Sequence, residues 1–330
     1  MRGRAIGLGL LGLGAFLLAG ALATRLLLAP ALVVLPLKQT AAPVAVSTDA
    51  TYFNIGEQKQ YTGDPVTVRQ KVAGVATADG AGADVAVWAF GSTVSDSSDT
   101  LITPTTEYTV CLDRRTAAAV DCPSEKIGTD TAKHITGLTL NFPFGTKQQA
   151  YPVFDATANK AFRATFTGTT TIQGVAVDTF EQTIPETVVQ TTDVPGSMAG
   201  APDQPSVSAD VVYSNQRTLY VEPTSGVIID IKEHPDLVFR GPDGTTGVTL
   251  LKGTFSGDKQ TVADGVKRAK KAQRDISLVT TKLPLLLVVL GLVAALAGVL
   301  LARRGSAAAP DAEQSEPEIG SDANRAVAVP

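Results

Sequence analysis

The stretch Leu283–Ala302, LPLLLVVLGLVAALAGVLLA, runs for twenty residues without a charge and is followed by Arg303 and Arg304. At about 1.5 Å of rise per residue, a helix of this length covers the roughly 30 Å hydrocarbon core of a bilayer. A fully buried core helix is the alternative, but a soluble fold seldom needs one so uniformly apolar. With a span placed here, the chain that precedes it is expected to sit on one side of a membrane.

The N-terminus carries a second apolar run, Ala5–Thr24, behind the basic start MRGR. A cleaved signal peptide fits the basic start and the small residues Ala21-Leu22-Ala23. An uncleaved anchor fits better the apolar character that continues through Leu26–Leu28 to Leu37. In either case Arg2 and Arg4 stay cytoplasmic and the following domain is exported. Gly7, Gly9 and Gly12 spell G-x-G-x-x-G, but no strand precedes them, so a dinucleotide site is rejected. The small residues instead favour helix contact, with Ala15, Ala19 and Ala23 on one span meeting Ala294 and Gly298 on the other.

About 245 residues lie between these ends, rich in Thr, Val, Gly and Asp and poor in helical periodicity. Strands are expected at Val44–Ile55, Val66–Ala76 and Asp84–Phe90, with Gly63-Asp64-Pro65 and the ADGAGAD cluster at 78–84 as turns. Lys160–Ile172 and Val175–Ile184 read as a hairpin around Gln173-Gly174, and Gln190–Ser208 as a loop. Val211–Glu222 with Gly226–Lys232, and Leu237–Arg240 with Gly247–Phe255, read as two further hairpins. The expected fold is therefore mainly β, a large antiparallel sheet flanked by N- and C-terminal transmembrane helices. Trp88, the single tryptophan, is read as a core anchor ahead of a ligand-stacking role.

Glu107–Leu112 and Ala117–Cys122 flank the polar tip Asp113-Arg114-Arg115-Thr116. A hairpin centred between Thr116 and Ala117 puts Cys111 opposite Cys122, near disulfide distance. Zinc is the alternative, and two cysteines without a histidine cluster make a poor site for it.

The segment FPFGTKQQAYPVFD, the FTGTTTIQGVAVDTFEQTIPET hairpin and RTLYVEPTSGVIID at Arg217–Asp230 resemble the porin PorA family, whose function is poorly known. The resemblance extends to the layout of anchor, β-rich domain and anchor, and covers nearly the whole chain except the C-terminal tail. It implies membrane residence and brings no set of catalytic or binding residues; the cysteine pair is not carried by it. A membrane β-barrel needs a steady apolar girdle on strands of 9–11 residues. The Thr- and Asp-rich hairpins lack one, which favours a displayed soluble domain on two helical spans. That layout resembles the CD36-type lipid receptors in topology alone.

Lys259–Ser277 changes character again: Val262, Val266, Ala269 and Ile276 recur near helical spacing, and Lys267, Arg268, Lys270, Lys271 and Arg274 form a basic face. The face is either simply solvated or attracted to anionic headgroups. These readings divide the chain into an anchor at 1–37, a β-rich extracytoplasmic domain at 38–258, and an amphipathic juxtamembrane helix at 259–282. A transmembrane helix at 283–304 and a disordered cytoplasmic tail at 305–330 complete it. The expected location is the plasma membrane, crossed twice, with both termini cytoplasmic. The basic cluster at 259–282 runs against the positive-inside rule, and the first span is taken to dominate.

A net charge of −4 excludes nucleic acid as an expected partner. No G-x-S-x-G, P-loop or H-E-x-x-H occurs, and His134 and His234 stand far apart, so neither enzyme activity nor a cofactor or metal is expected. The aromatics Phe142, Phe144, Tyr151, Phe154, Phe162 and Phe166 concentrate in one segment. They are the candidate lining of an apolar site for a lipid or other hydrophobic ligand, with ordinary core packing as their other reading. A channel-forming oligomer and an envelope scaffold that docks other envelope proteins are the alternatives. The expected partners are membrane lipids, other envelope proteins or further copies of the chain.

Overall fold

The computed structural model describes residues 2–306; the tail expected beyond them lies outside the described residues. From the N-terminus, α1 (Arg2–Ala23) passes through a π-helical turn at Thr24–Leu28 into the short α2 (Ala29–Leu32), with Pro30 in the first turn, where it costs no hydrogen bond. Strands follow as β1 (Thr40–Ala41), β2 (Val44–Asn54), β3 (Lys59–Gly74), β4 (Val85–Asp96), β5 (Thr106–Asp113) and β6 (Lys126–Ile127). After a long irregular stretch come β7 (Tyr151–Asp155), β8 (Lys160–Ile172), β9 (Val175–Val194), β10 (Val207–Glu222) and β11 (Val227–Glu233). Then β12 (Asp236–Arg240), β13 (Thr246–Lys252) and β14 (Ser256–Gly257) lead to α3 (Lys259–Ser277). The Asp258 side chain caps α3 by accepting the Thr261 N–H at 2.7 Å. A second π-helical turn, Leu278–Lys282, precedes α4 (Leu283–Ser306).

The described residues fall into two compact units. In the first, residues 2–25 and 282–306, α1 and α4 pack antiparallel through glycines seven residues apart. A Cβ on Gly7 would lie 2.8 Å from the Gly298 carbonyl oxygen, and one on Gly14 would lie 2.8 Å from that of Gly291. The spans meet through small residues, but not the expected alanines: Gly7 and Gly14 form the seam, Gly9 and Gly12 face open space, and Ala15, Ala19 and Ala23 are exposed. Close backbone approach is the usual means of holding apolar helices together where lipid removes the hydrophobic incentive.

The second unit, Leu26–Thr281, is an antiparallel sheet with the path β6-β5-β4-β3-β2-β13-β12-β10-β9-β8-β7. Irregular chain joins its two ends: Leu112 bridges Ala119, Ala118 bridges Leu138, and Leu138 bridges Val153 of β7. The ladder therefore curls round on itself from β5 to β7. On the far side the sheet forks. β10 pairs with β12 over Asp210–Ser214 and with β11 over Arg217–Glu222. β2 pairs with β13 at Thr51 and Tyr52, and with β14 at Ala45 and Val46. Phe142, Val110, Leu112, Phe180 and Leu219 fill the inside, each at most 1% exposed. The outward positions of β8 include exposed Arg163, Thr165, Thr167 and Thr169, a polar face unlike the apolar band of a membrane barrel.

Three local expectations are corrected. Gly63-Asp64-Pro65 is no turn but an irregularity inside β3, where Gly63 takes φ +75° and the register with β2 slips between Ser47 and Ala50. The loop expected from Gln190 starts only after Val194, because β9 continues through Pro185 by a register shift opposite Tyr213 and Asn215. Such bulges are where a strand tolerates a residue without an N–H. The cysteine hairpin has a different register: Val120 N–H donates to the Cys111 carbonyl at 2.8 Å, so Cys122 lies two residues beyond the position opposite Cys111. Asp113 accepts the Arg115 and Thr116 N–H groups and Ala117 adopts φ +59°, which lengthens the tip. The disulfide forms nonetheless, with a Cα–Cα distance of 6.1 Å.

Helix α3 packs against β9 and β11. Val266 and Ala269 pack against Val175, Val177 and Ile229. Gly265 permits this approach, since a Cβ there would come within 2.7 Å of the Ile229 carbonyl oxygen.

Candidate functional site: an aromatic-walled cavity with buried charge

Inside the curled sheet is a cavity of about 190 Å³, bounded by β4, β5, β7, the β11 arm and α3. Trp88 and Phe90 project from alternate positions of β4, Tyr108 from β5 and Phe154 from β7. Phe90 stacks on Tyr108 at 4.7 Å between ring centroids, and Tyr108 meets Phe154 edge-on at 5.8 Å. Trp88 is 3% exposed, and its indole N–H is satisfied by the Pro36 carbonyl at 3.0 Å. The tryptophan is thus both a core anchor, as expected, and part of the wall. The β11 isoleucines Ile228, Ile229 and Ile231 supply the opposite side.

Charge is built into this apolar setting. Arg217 of β10 lines the cavity and is held by three groups: Asp155 Oδ2 at 3.5 Å, Glu233 Oε2 at 3.5 Å and Gln182 Oε1 at 3.2 Å. Burial opposes its charge, but Glu233 and Asp155 outweigh that and hold the guanidinium protonated. Asp155 also accepts the Tyr213 hydroxyl at 3.0 Å, and Asn215 donates to both Tyr213 and Glu233. Burial pushes the Tyr108 and Tyr213 phenols well above their ordinary range. Asp230, also in the lining, is raised by burial against the lowering effect of the Gly257 and Ile231 N–H groups.

Two donors of the lining stand apart from this network. Arg268 of α3 has no hydrogen bond or ion pair to any described residue, and burial lowers its pKa against the influence of Asp264. Thr139 Oγ1 is buried without a hydrogen-bond partner among the described residues.

The aromatic segment read from the sequence is divided by the fold. Only Phe154 of the six lines the cavity. Phe142, Tyr151 and Phe166 surround Phe180 at 4.9, 5.9 and 5.9 Å, a packed cluster within the core. Phe144 packs at its margin, and Phe162 is half-buried under the Lys160 ammonium. Of the basic residues on α3, Lys267, Lys271 and Arg274 are exposed, Lys271 pairs with Asp275 at 2.6 Å, and Lys270 donates to the Gln173 carbonyl. Phe90, Tyr108 and Arg217 carry no signal in the sequence that separates them from other strand residues.

The two histidines lie away from this cavity. Asp121, Glu125 and His134 bring ligand-type atoms within 4.8 Å of one another, but the Glu125 oxygens are occupied by His134 Nδ1 and the Ile135 N–H, both at 2.8 Å. His234 lines an open polar depression of about 640 Å³ and contacts Thr254 Oγ1.

An antiparallel curled sheet framed by two apolar helices, each long enough to cross a bilayer, defines a class of membrane protein. The family model for porin PorA matches residues 6–300, and the chain belongs to that family. A porin PorA of Corynebacterium amycolatum is 28% identical over 235 residues, covering 56% of this chain and 61% of that relative. The alignment thus spans about three fifths of the length of the curated relative. The segments that carry the family resemblance meet in space: Phe142 N–H donates to the Gly226 carbonyl, and Thr146 N–H to that of Pro223.

Proposed function

We propose that the β unit, anchored by its two apolar helices, binds the apolar end of a lipid or similar hydrophobic ligand in its interior cavity. The observation that carries this reading is the wall of Trp88, Phe90, Tyr108 and Phe154 facing empty volume inside an otherwise filled sheet. An apolar cavity of about 150 Å³ holds a six-carbon ring, so this one takes roughly six to eight carbon groups. It suits a short chain, or the end of a longer one whose remainder extends beyond the mouth. Native mass spectrometry of the full chain in mild detergent tests this, together with quenching of Trp88 emission by bromine-labelled acyl probes. Absence of both co-purified lipid and quenching removes the reading.

A second reading follows from the family: the chain is a subunit of a porin-like channel. The packed interior around Phe142, Phe180 and Leu219 favours a pore formed between copies over one through a single β unit. Conductance of the purified chain in planar bilayers tests it; a silent preparation that retains its fold counts against it.

We place the β unit outside the plasma membrane, in the cell envelope, with both termini cytoplasmic. Two spans put both ends on one side, and the Cys111–Cys122 disulfide supports an oxidising compartment. Labelling of a C-terminal tag from outside intact cells would contradict this topology. Envelope proteins or further copies of the chain are the partners it allows.

A further inference from the structure

We infer that the cavity ligand is an anionic amphiphile with a single chain, its acidic head held by Arg268 and its first methylenes laid against the Trp88–Phe90–Tyr108–Phe154 wall. This rests on the proposal that the cavity binds a hydrophobic ligand and adds the chemistry of the head.

The charges of the lining decide the sign. Arg217 is already matched by Asp155 and Glu233, two carboxylates to one guanidinium. Asp230 is held by two backbone donors, the Gly257 and Ile231 N–H groups, each at 2.9 Å. Both acids of the lining therefore have partners within the protein, and one of its two cations is spent. Arg268 is the cation left over: half-buried and without a hydrogen bond or ion pair among the described residues. A half-buried guanidinium with no contact partner is free to pair, and a carboxylate, sulfate or phosphate ester entering the cavity supplies that partner in bidentate geometry.

Position and size support a single chain. Arg268 sits on α3, whose Val266 and Ala269 are fixed against Ile229, so its backbone is anchored to the cavity wall. A cavity of about 190 Å³ is filled by the end of one such chain. An aromatic wall beside an arginine is the arrangement expected for a ligand with an apolar stem and a charged end.

The test uses the full chain in lipid nanodiscs, with Trp88, the only tryptophan, as reporter. Octanoate and 1-octanol share an eight-carbon chain length and differ in the head. Octanoate should bind about tenfold more tightly than octanol, the effect of one charge-assisted contact. Arg268→Gln should abolish that preference and leave octanol binding unchanged, while Arg268→Lys should retain part of it. Unchanged Trp88 emission of each variant without ligand checks that the wall is intact. Equal binding of both probes to the parent chain, or a preference that survives Arg268→Gln, overturns the inference while leaving the hydrophobic site standing. Failure of both probes to perturb Trp88 removes the hydrophobic site as well.

Discussion

The Phe142 N–H donates to the Gly226 carbonyl at 2.8 Å, joining the irregular segment before β7 to the β10–β11 turn. Gly226 has φ +72°, and a Cβ there would run into the Phe142 carbonyl oxygen. Gly226→Ala should therefore destabilise the β unit by several kcal/mol, since it combines backbone strain with a backbone clash. Gly174→Ala, at φ +77° with open space around it, should cost only about 1 kcal/mol. Thermal unfolding followed by Trp88 emission compares the two. Equal losses would mean that the segment is not docked on the turn.

The Arg217 network gives a second outcome. Its side chain is 14% exposed, and replacing it by methionine strands Asp155 and Glu233 at 4% and 26% exposure. Removing one partner of a buried ion group typically costs about 3–5 kcal/mol. Arg217→Met should lower the unfolding midpoint far more than Arg69→Met, whose ion pair with Asp99 is exposed at 51% and 76%.

Across the helical unit, Gly14→Leu should separate α1 from α4, because the new side chain must displace the Gly291 carbonyl oxygen and Ala295. Gly12→Leu enters open space and should be tolerated. Melting of the helical circular-dichroism signal in detergent distinguishes them; similar curves would show that the seam lies elsewhere.

The Cys111–Cys122 bridge closes a short loop, for which the chain-entropy account gives about 3 kcal/mol. Native protein should resist maleimide until reduced, and the double Cys→Ser variant should unfold earlier by that amount. Two thiols labelled without reductant would refute the pairing.

His134 titration gives a fifth outcome. A hydrogen bond to Glu125, then the charges of Asp121 and Glu125, raise its pKa above the ordinary histidine value near 6.5. A raised folded-state pKa makes its contribution to stability full below about pH 6.5, and that contribution is lost as pH rises through the folded pKa. The His134 ring resonances should titrate above 6.5, and Glu125→Gln should bring the midpoint down. A midpoint unmoved by that substitution would break the assignment.

What the sequence revealed follows a physical division. Local turn chemistry was readable: Gln173 and Gly174, at φ +47° and +77°, form the two-residue turn that the β8–β9 alternation predicts. The stripe of Val262, Val266 and Ala269 marked the buried side of α3. The register of Cys111 was not readable, because it depends on how Asp113 organises the tip and on Ala117 entering a left-handed conformation. Pro185 looked like a strand end, yet β9 absorbs it in a bulge. The cavity was least visible. Arg217 and Tyr108 come together only through pairings distant in the chain, and nothing in their local sequence marks an inward strand residue as facing a void; Arg268 stood out only as one of the basic residues of α3.

The β2 pairings with β13 and β14 have a consequence for synthesis. Tyr52 finds its partner in Leu251, and Val46 in Ser256. A ribosome adding about 5–20 residues per second needs roughly 10–40 s to supply the later strands after β2 has emerged. Strands β2 to β5 can zip into a meander during that interval, but one flank of β2 stays open until nearly the whole sheet has been made. A nascent chain stalled before residue 250 therefore carries an adhesive strand that the finished protein conceals.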